Sequence, residues 1–419
     1  MTLGVDLPAP APGRPVHAWG AFRSANYRLY LIGLVVSQTG TWMQYVAEGL
    51  LVYRLTHAPL ALGLLGFLPM LPLAPLMLVA GALADRLPRR KLLVLVQFGS
   101  VLPPLSLAAL TWLGVVQVWH VVVVEVLMQA LAAVDLPARQ ALIVDTVDPA
   151  DLDTAVAVSA SAFNLARVVG PALGGLLVAW TGEAVCFALN GVSFLFVAAA
   201  LMVMRLPAHK MSARQQSLGT NLIDGIRYIL KERLLLATLV VSVAVGLFVM
   251  PYQRFLPVFA VDLLGVGDWG LGILNAAAGL GAVTGAATLA WLLSARPGRR
   301  GRWIVALALV LPFALAGFAQ ARTFWLSVVL VILVGAGVVA VRSLAFTLAQ
   351  VTIRDDLRGR VMGMLTLASV SSIRVGELGV GILADRTGQI SLPLLLAAGV
   401  FLVSMAAAGV LVPSLRRAA

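Results

Sequence analysis

Charged residues are scarce in this sequence of 419 amino acids. Only 11% are Asp, Glu, Lys or Arg, whereas 61% are hydrophobic. A soluble domain carries about 25% charged residues. Because such an apolar excess has no place in a soluble fold, the composition excludes a soluble enzyme or binding domain and indicates a chain that lies in lipid.

Cysteine and histidine are almost absent as well. The single cysteine, Cys186, excludes an internal disulfide, and the four histidines lie too far apart in sequence to suggest a metal site. No predicted span holds a nucleophile beside a base, so an intramembrane enzyme is the least favoured function. We therefore expect no metal, no cofactor and no catalytic residues.

Positive charge exceeds negative charge, with a formal net charge of +12. The basic residues lie between apolar runs rather than on a basic domain, which argues against nucleic acid as a partner. Residues 1–22 contain no apolar core, so they are predicted to be a cytoplasmic tail and not a signal peptide.

Twelve apolar segments have roughly the ~20 residues that a helix needs to cross a bilayer. With the N-terminus inside, 23 of the 30 Lys and Arg residues fall in inner segments and three in outer ones, so both termini are predicted to be cytoplasmic. Longer connections are predicted at 137–153, 206–233 and 347–360. The predicted spans are residues 29–53, 60–84, 92–113, 117–136, 154–180, 184–205, 234–261, 270–294, 303–320, 324–346, 361–384 and 390–412.

The two halves of the chain repeat each other at an offset of 206 residues. Span 29–53 falls on 235–259, and five residues in and just after span five recur in and just after span eleven. Duplicated six-helix halves are a transporter architecture, with the substrate bound between them near the middle of the membrane. The recurring residues are Gly170, Gly175, Leu177, Thr181 and Gly182, which fall on Gly376, Gly381, Leu383, Thr387 and Gly388.

These patterns predict a tail (1–22), a six-helix bundle (23–205), a cytoplasmic linker (206–233), a second six-helix bundle (234–412) and a second tail (413–419). In the linker, apolar residues from Leu218 to Leu230 share one helical face, and charged residues lie opposite. This pattern predicts an amphipathic helix on the inner membrane surface. A packed helix that only tethers the halves is the alternative.

Four stretches of the sequence resemble one protein family. Gly81-Ala-Leu-Ala-Asp-Arg-Leu-Pro-Arg-Arg-Lys91 resembles the loop between helices 2 and 3 of the major facilitator superfamily of transporters. Asp-Leu-Pro-Ala-Arg-Gln-Ala (135–141), Phe-Ala-Leu-Asn-Gly-Val-Ser-Phe (187–194) and Leu-Arg-Gly-Arg-Val-Met (357–362) are similar to signatures of one exporter branch. That branch contains enterobactin-exporter-like and macrolide-efflux-like proteins, also called transmembrane secretion effectors.

The resemblance implies an all-α membrane protein with the major facilitator fold, in which twelve transmembrane helices form two pseudo-symmetric six-helix bundles. It implies proton-driven export of small amphiphilic molecules across the cytoplasmic membrane, with the proton gradient as the driving force and membrane lipids as further partners. We expect a monomer. Flipping of a lipid or lysolipid, and uptake or facilitated transport of a small nutrient, are the alternatives.

Span five contains a Gly-Pro-x-x-Gly-Gly pattern made by Gly170, Pro171, Gly174 and Gly175. Gly170 and Gly174 share a face that lets another helix approach, and Pro171 favours a bend. The pattern resembles the antiporter motif of facilitator exporters, which implies a bending and packing element used in export. Close packing alone is the simpler interpretation.

Charged residues within spans are costly and are therefore candidates for proton coupling. Glu125 in span four and Glu377 in span eleven are the best carriers, because a carboxyl beside a low-dielectric cavity can load and release protons near neutral pH. Arg374 lies one turn before Glu377, and a static ion pair is the alternative for these two residues. Arg167 is a possible partner of Glu125.

Two sets of residues are predicted to gate the transporter. Glu48 and Arg254 are equivalent in the repeat, and one hypothesis is that they form an ion pair between the halves that closes the outer side. The alternative is that each is hydrated near the lipid headgroups. On the inner side, the resemblance implies that Asp85 contacts the start of span eleven, and that Arg86 and Arg89 belong to the same latch. Asp85 suits the positive end of that helix.

A few uncharged polar and aromatic residues lie within spans. We expect some of them to line a mostly apolar substrate cavity, while hydrogen bonding between helices is equally plausible for the polar ones. The candidates are Trp42, Gln44, Asn164, Gln253, Phe255 and Asn275.

Overall fold

The computed structural model describes residues 20–72, 88–204, 227–295, 300–354 and 357–411, and 92% of these residues are helical. Each predicted span overlaps one of the main helices. The helices are Ala25–Thr56 (α1), Pro59–Phe67 (α2), Arg89–Trp112 (α3), Val118–Thr146 (α4), Leu152–Thr181 (α5), Glu183–Val203 (α6), Arg233–Leu263 (α7), Gly267–Ala295 (α8), Arg300–Gln320 (α9), Phe324–Thr352 (α10), Arg358–Thr387 (α11) and Ser391–Leu411 (α12).

Ten of these helices, all except α1 and α2, are long and apolar enough to cross a membrane. Helix α1 has sufficient length, at 32 residues, but carries a run of polar side chains in its middle. The second predicted span continues past Pro72 into residues that lie outside the described part of the chain. The described helices therefore agree with the predicted order of spans without accounting for all of span two.

Two helices extend beyond their predicted ends. Helix α4 continues to Thr146, so most of the predicted connection 137–153 is helical, and α10 continues to Thr352. Both extensions carry polar residues, and a helix satisfies its own backbone whether lipid or water surrounds it. An apolar run thus marks the membrane-embedded part of such a helix and not its end.

Helix α7 is irregular in its second half. It passes from an α-helix over Arg233–Ala244 through a π-helical segment at Val245–Val249 and a 3-10 segment at Met250–Phe255. Pro251 and Pro257 lack the N–H that a regular helix needs, and their rings crowd the preceding turn, which accounts for the distortion.

The repeat is visible in how the helices pack. Gly170 of α5 abuts α1, and its equivalent Gly376 of α11 abuts α7. Gly175 of α5 abuts α8, and its equivalent Gly381 abuts α2. The two halves therefore meet along two similar contacts, α5 with α8 and α2 with α11.

We call the end of the bundle that holds Arg54, Glu183 and Asp268 the Arg54 end, and the opposite end, where α3 begins, the Arg90 end. Around the Arg54 end, one continuous hydrophobic core includes residues of both halves, among them Tyr53 and Phe259. Near the Arg90 end, a separate core around Tyr27 and Leu142 contains only residues of α1 and of α3 to α6 with their flanks. Among the described residues, the halves are therefore packed together at the Arg54 end and apart at the Arg90 end.

Most of the predicted linker, residues 205–226, lies outside the described part of the chain. Residues 227–231 are helical, and Ile229 packs with Ile353 and Val361. Leu230, which is predicted to share an apolar face with Ile229, is 63% exposed, and the predicted surface helix stays a prediction. The two residues are adjacent in sequence, and adjacent side chains of a helix point about 100° apart.

Candidate functional site

A cavity of about 350 Å³ lies among α1, α3, α4, α5 and α6 and reaches Arg374 of α11. Aromatic rings form part of its wall, and the remaining lining is rich in amides and charged groups. Its aromatic residues are Trp42, Tyr45, Phe163 and Phe194, and its charged residues are Glu48, Glu125, Asp135, Arg139 and Arg374.

A chain of hydrogen bonds crosses the cavity wall from α6 to α1. The Asn190 Nδ2 donates to Gln44 Oε1 at 2.6 Å, and the Gln44 Nε2 donates to Glu48 Oε1 at 2.7 Å. Gln44 and Glu48 are one helical turn apart, so they lie on the same face of α1. The amide of Gln44 therefore uses both of its ends to hold the Glu48 carboxyl in place.

Glu48 meets a second acid inside the membrane-spanning part of the chain. It is only 2% exposed, and its carboxyl interacts with that of Glu125 on α4. Glu125 in turn accepts a hydrogen bond from Gln129 Nε2 at 3.0 Å. The buried Glu48 carboxyl and the partly exposed Glu125 carboxyl both line the cavity, and like charges at such positions repel each other.

A second polar group lies further along α4. Arg139 and Asp135 form an ion pair at 2.6 Å within one turn of the helix. The Gln97 Nε2 of α3 donates to the other carboxylate oxygen of Asp135 at 2.7 Å. This group ties α3 to α4 at the wall of the cavity.

Glu377 lies where α11 crosses α2. The Arg374 Nη1 is 3.1 Å from Glu377 Oε2, so the alternative of a local ion pair matches the geometry. The Glu377 side chain faces Gly66 and is nearly fully buried, whereas Arg374 lines the cavity. Arg374 is thus the member of the pair that faces the Glu125 side.

The predicted ion pair between Glu48 and Arg254 is not formed. Arg254 is 2% exposed, and none of its three side-chain nitrogens has a hydrogen-bond partner among the described residues. Its guanidinium lies 4.8 Å from the ring centroid of Tyr45, in a cation–π contact between the halves. The prediction was wrong for this conformation because Gln44 holds the Glu48 carboxyl.

Arg167 does not pair with Glu125 either. Its guanidinium lies 5.5 Å from the centroid of the Trp42 ring. Trp42 and Glu125 line the cavity, whereas Arg167 does not. The aromatic ring of Trp42, and not the Glu125 carboxyl, is therefore the contact of the Arg167 guanidinium.

The glycine motif of α5 allows this helix to pack closely against both α1 and α8. A Cβ on Gly170 would lie 2.6 Å from the Trp42 Cβ, and one on Gly174 would lie 3.0 Å from the Met43 backbone. A Cβ on Gly175 would lie 2.2 Å from the Gly272 Cα of α8. Helix α5 runs without interruption through Pro171, so the geometry matches the packing interpretation of the motif.

The candidate cavity residues divide into four groups. Trp42 and Gln44 line the cavity, and Gln253 and Asn275 line a much smaller space beside Arg254. Asn164 is exposed on α5 and donates to the Ala160 carbonyl. Phe255 is completely buried in the core and lines neither space, so the prediction for it was wrong, because the distorted segment of α7 turns it inward.

The predicted inner latch is only partly within the described residues. Asp85 and Arg86 lie outside them, and Arg89 begins helix α3. Its neighbour Arg90 donates through Nε to the Leu201 carbonyl at 2.8 Å, which ties α3 to the end of α6. The latch residues keep the status of predictions.

The Arg54 end carries an unpredicted polar contact between the halves. Arg54 of α1 contacts Glu183 of α6 at 2.5 Å and Asp268 of α8 at 2.6 Å. The Tyr53 hydroxyl also donates to Asp262 of α7. These bonds join both halves on the side where they share one core.

Some of these residues left a signal in the sequence. Asp135 and Asn190 lie in the two stretches that resemble exporter signatures, and Asp135 and Arg139 have the spacing of a helical ion pair. Arg54, Glu183 and Asp268 gave no such signal, because they are far apart in sequence and each lies at a predicted helix end where charge is ordinary.

Comparison with known proteins assigns the whole arrangement to one class. A family profile described as transmembrane secretion effector matches residues 16–418. The multidrug efflux pump Tap of Mycolicibacterium fortuitum is 27% identical, over 88% of this chain and 93% of that protein. The macrolide efflux protein A of Streptococcus pyogenes is 24% identical, over 78% of this chain and 80% of that protein.

Solved structures share the fold. A bacterial homologue of the human lysosomal transporter Spinster, in an inward-facing conformation, superposes with a TM-score of 0.70 at 13% identity, covering 94% of this chain and 96% of that one. The nucleoside transporter NupG superposes with a TM-score of 0.69 at 15% identity, covering 92% of this chain and 98% of that one. The predicted major facilitator fold is therefore confirmed.

Proposed function

Because the chain belongs to the transmembrane secretion effector family of the major facilitator superfamily, we propose that it exports small amphiphilic molecules in exchange for protons. The family and the fold make it a multi-pass membrane transporter and not an enzyme. Export is supported by relatives that are named as efflux pumps. The proton coupling and the substrate class are inferred from the cavity.

The Glu48–Glu125 pair is the observation that carries the proposal. Both carboxyls line the cavity, and each is held by a glutamine one turn away. Loading one proton removes the repulsion between the two acids, and losing it restores the repulsion. The proton occupancy of the pair can therefore favour one arrangement of α1 and α4 over another, as coupling requires.

The cavity wall suits an amphiphile. Trp42, Phe163 and Phe194 offer apolar surface, while Gln38 and Gln129 offer amide groups that can orient a polar end. A site of this kind is mostly apolar with a few placed polar groups, as small-molecule sites generally are.

The excess of positive charge supports an orientation with the Arg90 end and both termini in the cytoplasm. The described state is then closed to the outside by the Arg54 contacts and open to the inside, where substrate loads. Asp85, Arg86 and Arg89 would close the inner side in the alternate state, and the two six-helix halves would rock about the contacts of α5 with α8 and α2 with α11. The linker 206–233 would tether them.

Proteoliposomes with an acidic lumen test the proposal. Ethidium should accumulate in the lumen while protons leave it, and dissipating the pH gradient with nigericin should abolish both flows. Glu125→Gln should abolish accumulation, because a neutral amide cannot exchange the proton. Glu232→Gln, at an exposed acid that precedes α7, should leave accumulation unchanged.

Three results would contradict the proposal. Ethidium flux that ignores the pH gradient would indicate a facilitator. Translocation of a fluorescent lipid without ethidium transport would indicate a flippase. Coupled transport that persists in the Glu125→Gln variant would show that the Glu48–Glu125 pair does not carry the coupled proton.

A further inference from the structure

A line of hydrogen bonds runs through buried side chains of α6 and α1 and ends on Glu48. The Ser193 hydroxyl lies 3.2 Å from Asn190 Oδ1, and Asn190 Nδ2 lies 2.6 Å from Gln44 Oε1. Gln44 Nε2 in turn lies 2.7 Å from Glu48 Oε1. All four residues are buried, so the protein and not bulk water decides which atom donates to which.

Asn190 determines which end of the Gln44 amide faces Glu48. A side-chain amide has an acceptor end and a donor end. Because Gln44 Oε1 accepts the bond from Asn190, its Nε2 is the atom that faces Glu48. Without Asn190, the amide could turn over and present its oxygen to the carboxyl. Asn190 therefore acts on Glu48 through Gln44.

The position of Asn190 depends on a glycine of α1. A Cβ on Gly40 would lie 2.7 Å from Asn190 Oδ1, 3.2 Å from Asn190 Cα and 3.0 Å from Ser193 Oγ. Gly40 is one helical turn before Gln44, so the two residues share a face of α1. The missing side chain at Gly40 thus lets α6 approach until Asn190 reaches the Gln44 amide.

We propose that Asn190 is a positioning residue that determines which oxygen of Glu48 carries the proton. An N–H group that faces Oε1 requires an acceptor there, so Oε1 is the carbonyl oxygen of the protonated acid and Oε2 carries the hydrogen. This inference rests on the proposed function, because it concerns one acid of the pair that is proposed to take up and release the coupled proton.

Infrared spectroscopy of the purified protein tests the assignment without requiring transport. Spectra in nanodiscs at acidic pH would be compared with those of Glu48→Gln, and the carboxylic acid C=O band that this change removes belongs to Glu48. In the unsubstituted protein, the band should lie at the low frequency of a carbonyl that accepts a hydrogen bond. Asn190→Leu should move it to higher frequency, because the Gln44 amide is no longer held with its N–H toward Oε1.

A second variant reaches the same contact from the other helix. Gly40→Ala leaves every member of the hydrogen-bonded line in place but pushes against Asn190 Oδ1, so it should move the Glu48 band in the same direction. Gln320→Leu makes the amide-to-leucine change at an exposed residue that ends α9 and should leave the band where it is. An unchanged melting temperature would identify the variants that are folded.

Transport kinetics give a second readout that a merely structural role would not produce. Asn190→Leu should lower the maximal rate of pH-driven ethidium accumulation about tenfold and change the KM for ethidium by less than about twofold. Asn190 is 0% exposed and offers a substrate no surface, so its loss should affect the proton step and not substrate binding.

Three results would overturn the inference. They are a Glu48 band at the frequency of a free carbonyl in the unsubstituted protein, a band that stays in place in folded Asn190→Leu and Gly40→Ala, and no acid band that Glu48→Gln removes. The proposed function fails on a different observation, because it is judged by coupled ethidium and proton flux, which does not depend on the oxygen that holds the proton.

Discussion

Replacing Gly175 with alanine should loosen the Arg54 end of the transporter. An added Cβ would lie 2.2 Å from the Gly272 Cα and 2.6 Å from the Gly272 N. Both atoms belong to the backbone of α8, so no side-chain rotation can relieve the overlap. Helices α5 and α8 must therefore move apart along the contact that joins the halves.

The size of the effect follows from the overlap. Carbon atoms pack at about 3.5–4.0 Å, so the helices must separate by more than ~1 Å. Overpacking of this kind costs about 1–3 kcal/mol. A conformation in which the Arg54 end is open does not carry this cost, so the ratio of open to closed molecules should rise by about 5- to 150-fold.

Pulsed EPR can measure this shift in nanodiscs. Spin labels on Thr181 and Gln389, one in each half at the Arg54 end, would be introduced into a Cys186→Ala background, and Gly175→Ala should increase the long-distance population. Gly399→Ala is the matched control, because a Cβ there meets nothing within 4 Å. An unchanged distance distribution in a folded Gly175→Ala protein would refute the idea that this contact holds the closed end.

Three further predictions concern charged groups. Arg54→Gln removes two partly exposed ion pairs, which are worth about 1 kcal/mol together after screening by solvent, so the same spin labels should report a several-fold rise in molecules open at the Arg54 end. In the unsubstituted protein, 1 M NaCl should produce a similar rise because salt screens these ion pairs. A distance distribution that does not depend on salt would contradict this prediction. Arg254→Met removes a buried guanidinium that lacks hydrogen bonds, so the melting temperature in detergent should stay level or rise. A fall of several degrees would show that the cation–π contact with Tyr45 stabilises the protein by more than the buried charge destabilises it. Gly66→Ala would place a Cβ against Glu377 Oε2 and should lower the melting temperature. The same change in a Glu377→Ala background should lower the melting temperature much less. Equal falls in both backgrounds would exclude that contact.

The order of the helices could be predicted because each helix carries its own signal. Backbone hydrogen bonds in lipid must be satisfied within the span, so most crossings leave a long apolar run, with α1 and its central polar side chains as the exception. The repeat could also be recognised in the sequence, because the spacing from Gly170 to Gly175 recurs from Gly376 to Gly381. The structure shows that the two glycine pairs make equivalent helix contacts. Where α4 passes beyond its apolar run to Thr146, the same signal gave the wrong helix end.

The site was only partly accessible from the sequence. Glu125 was found because a carboxylate in a span is rare, but Arg167 was considered as a possible partner and Glu48 was not, although Glu48 is the acid that interacts with Glu125. Glu48 was expected to meet Arg254, which instead lies over Tyr45. Each error concerns which of several nearby groups a side chain contacts, and distance along the chain carries no information about that choice.

The sequence by itself determined that the chain lies in lipid, how its helices follow one another, that it consists of two related halves, and which acids are costly enough to be functional. Those properties are local, because hydropathy and charge act on each segment separately. Only the tertiary structure decided that Glu48 faces Glu125, that Arg54 joins α1 to α6 and α8, and that the halves are packed at one end and apart at the other. These are contacts between residues as many as 214 positions apart, and they are set by how whole helices pack against one another.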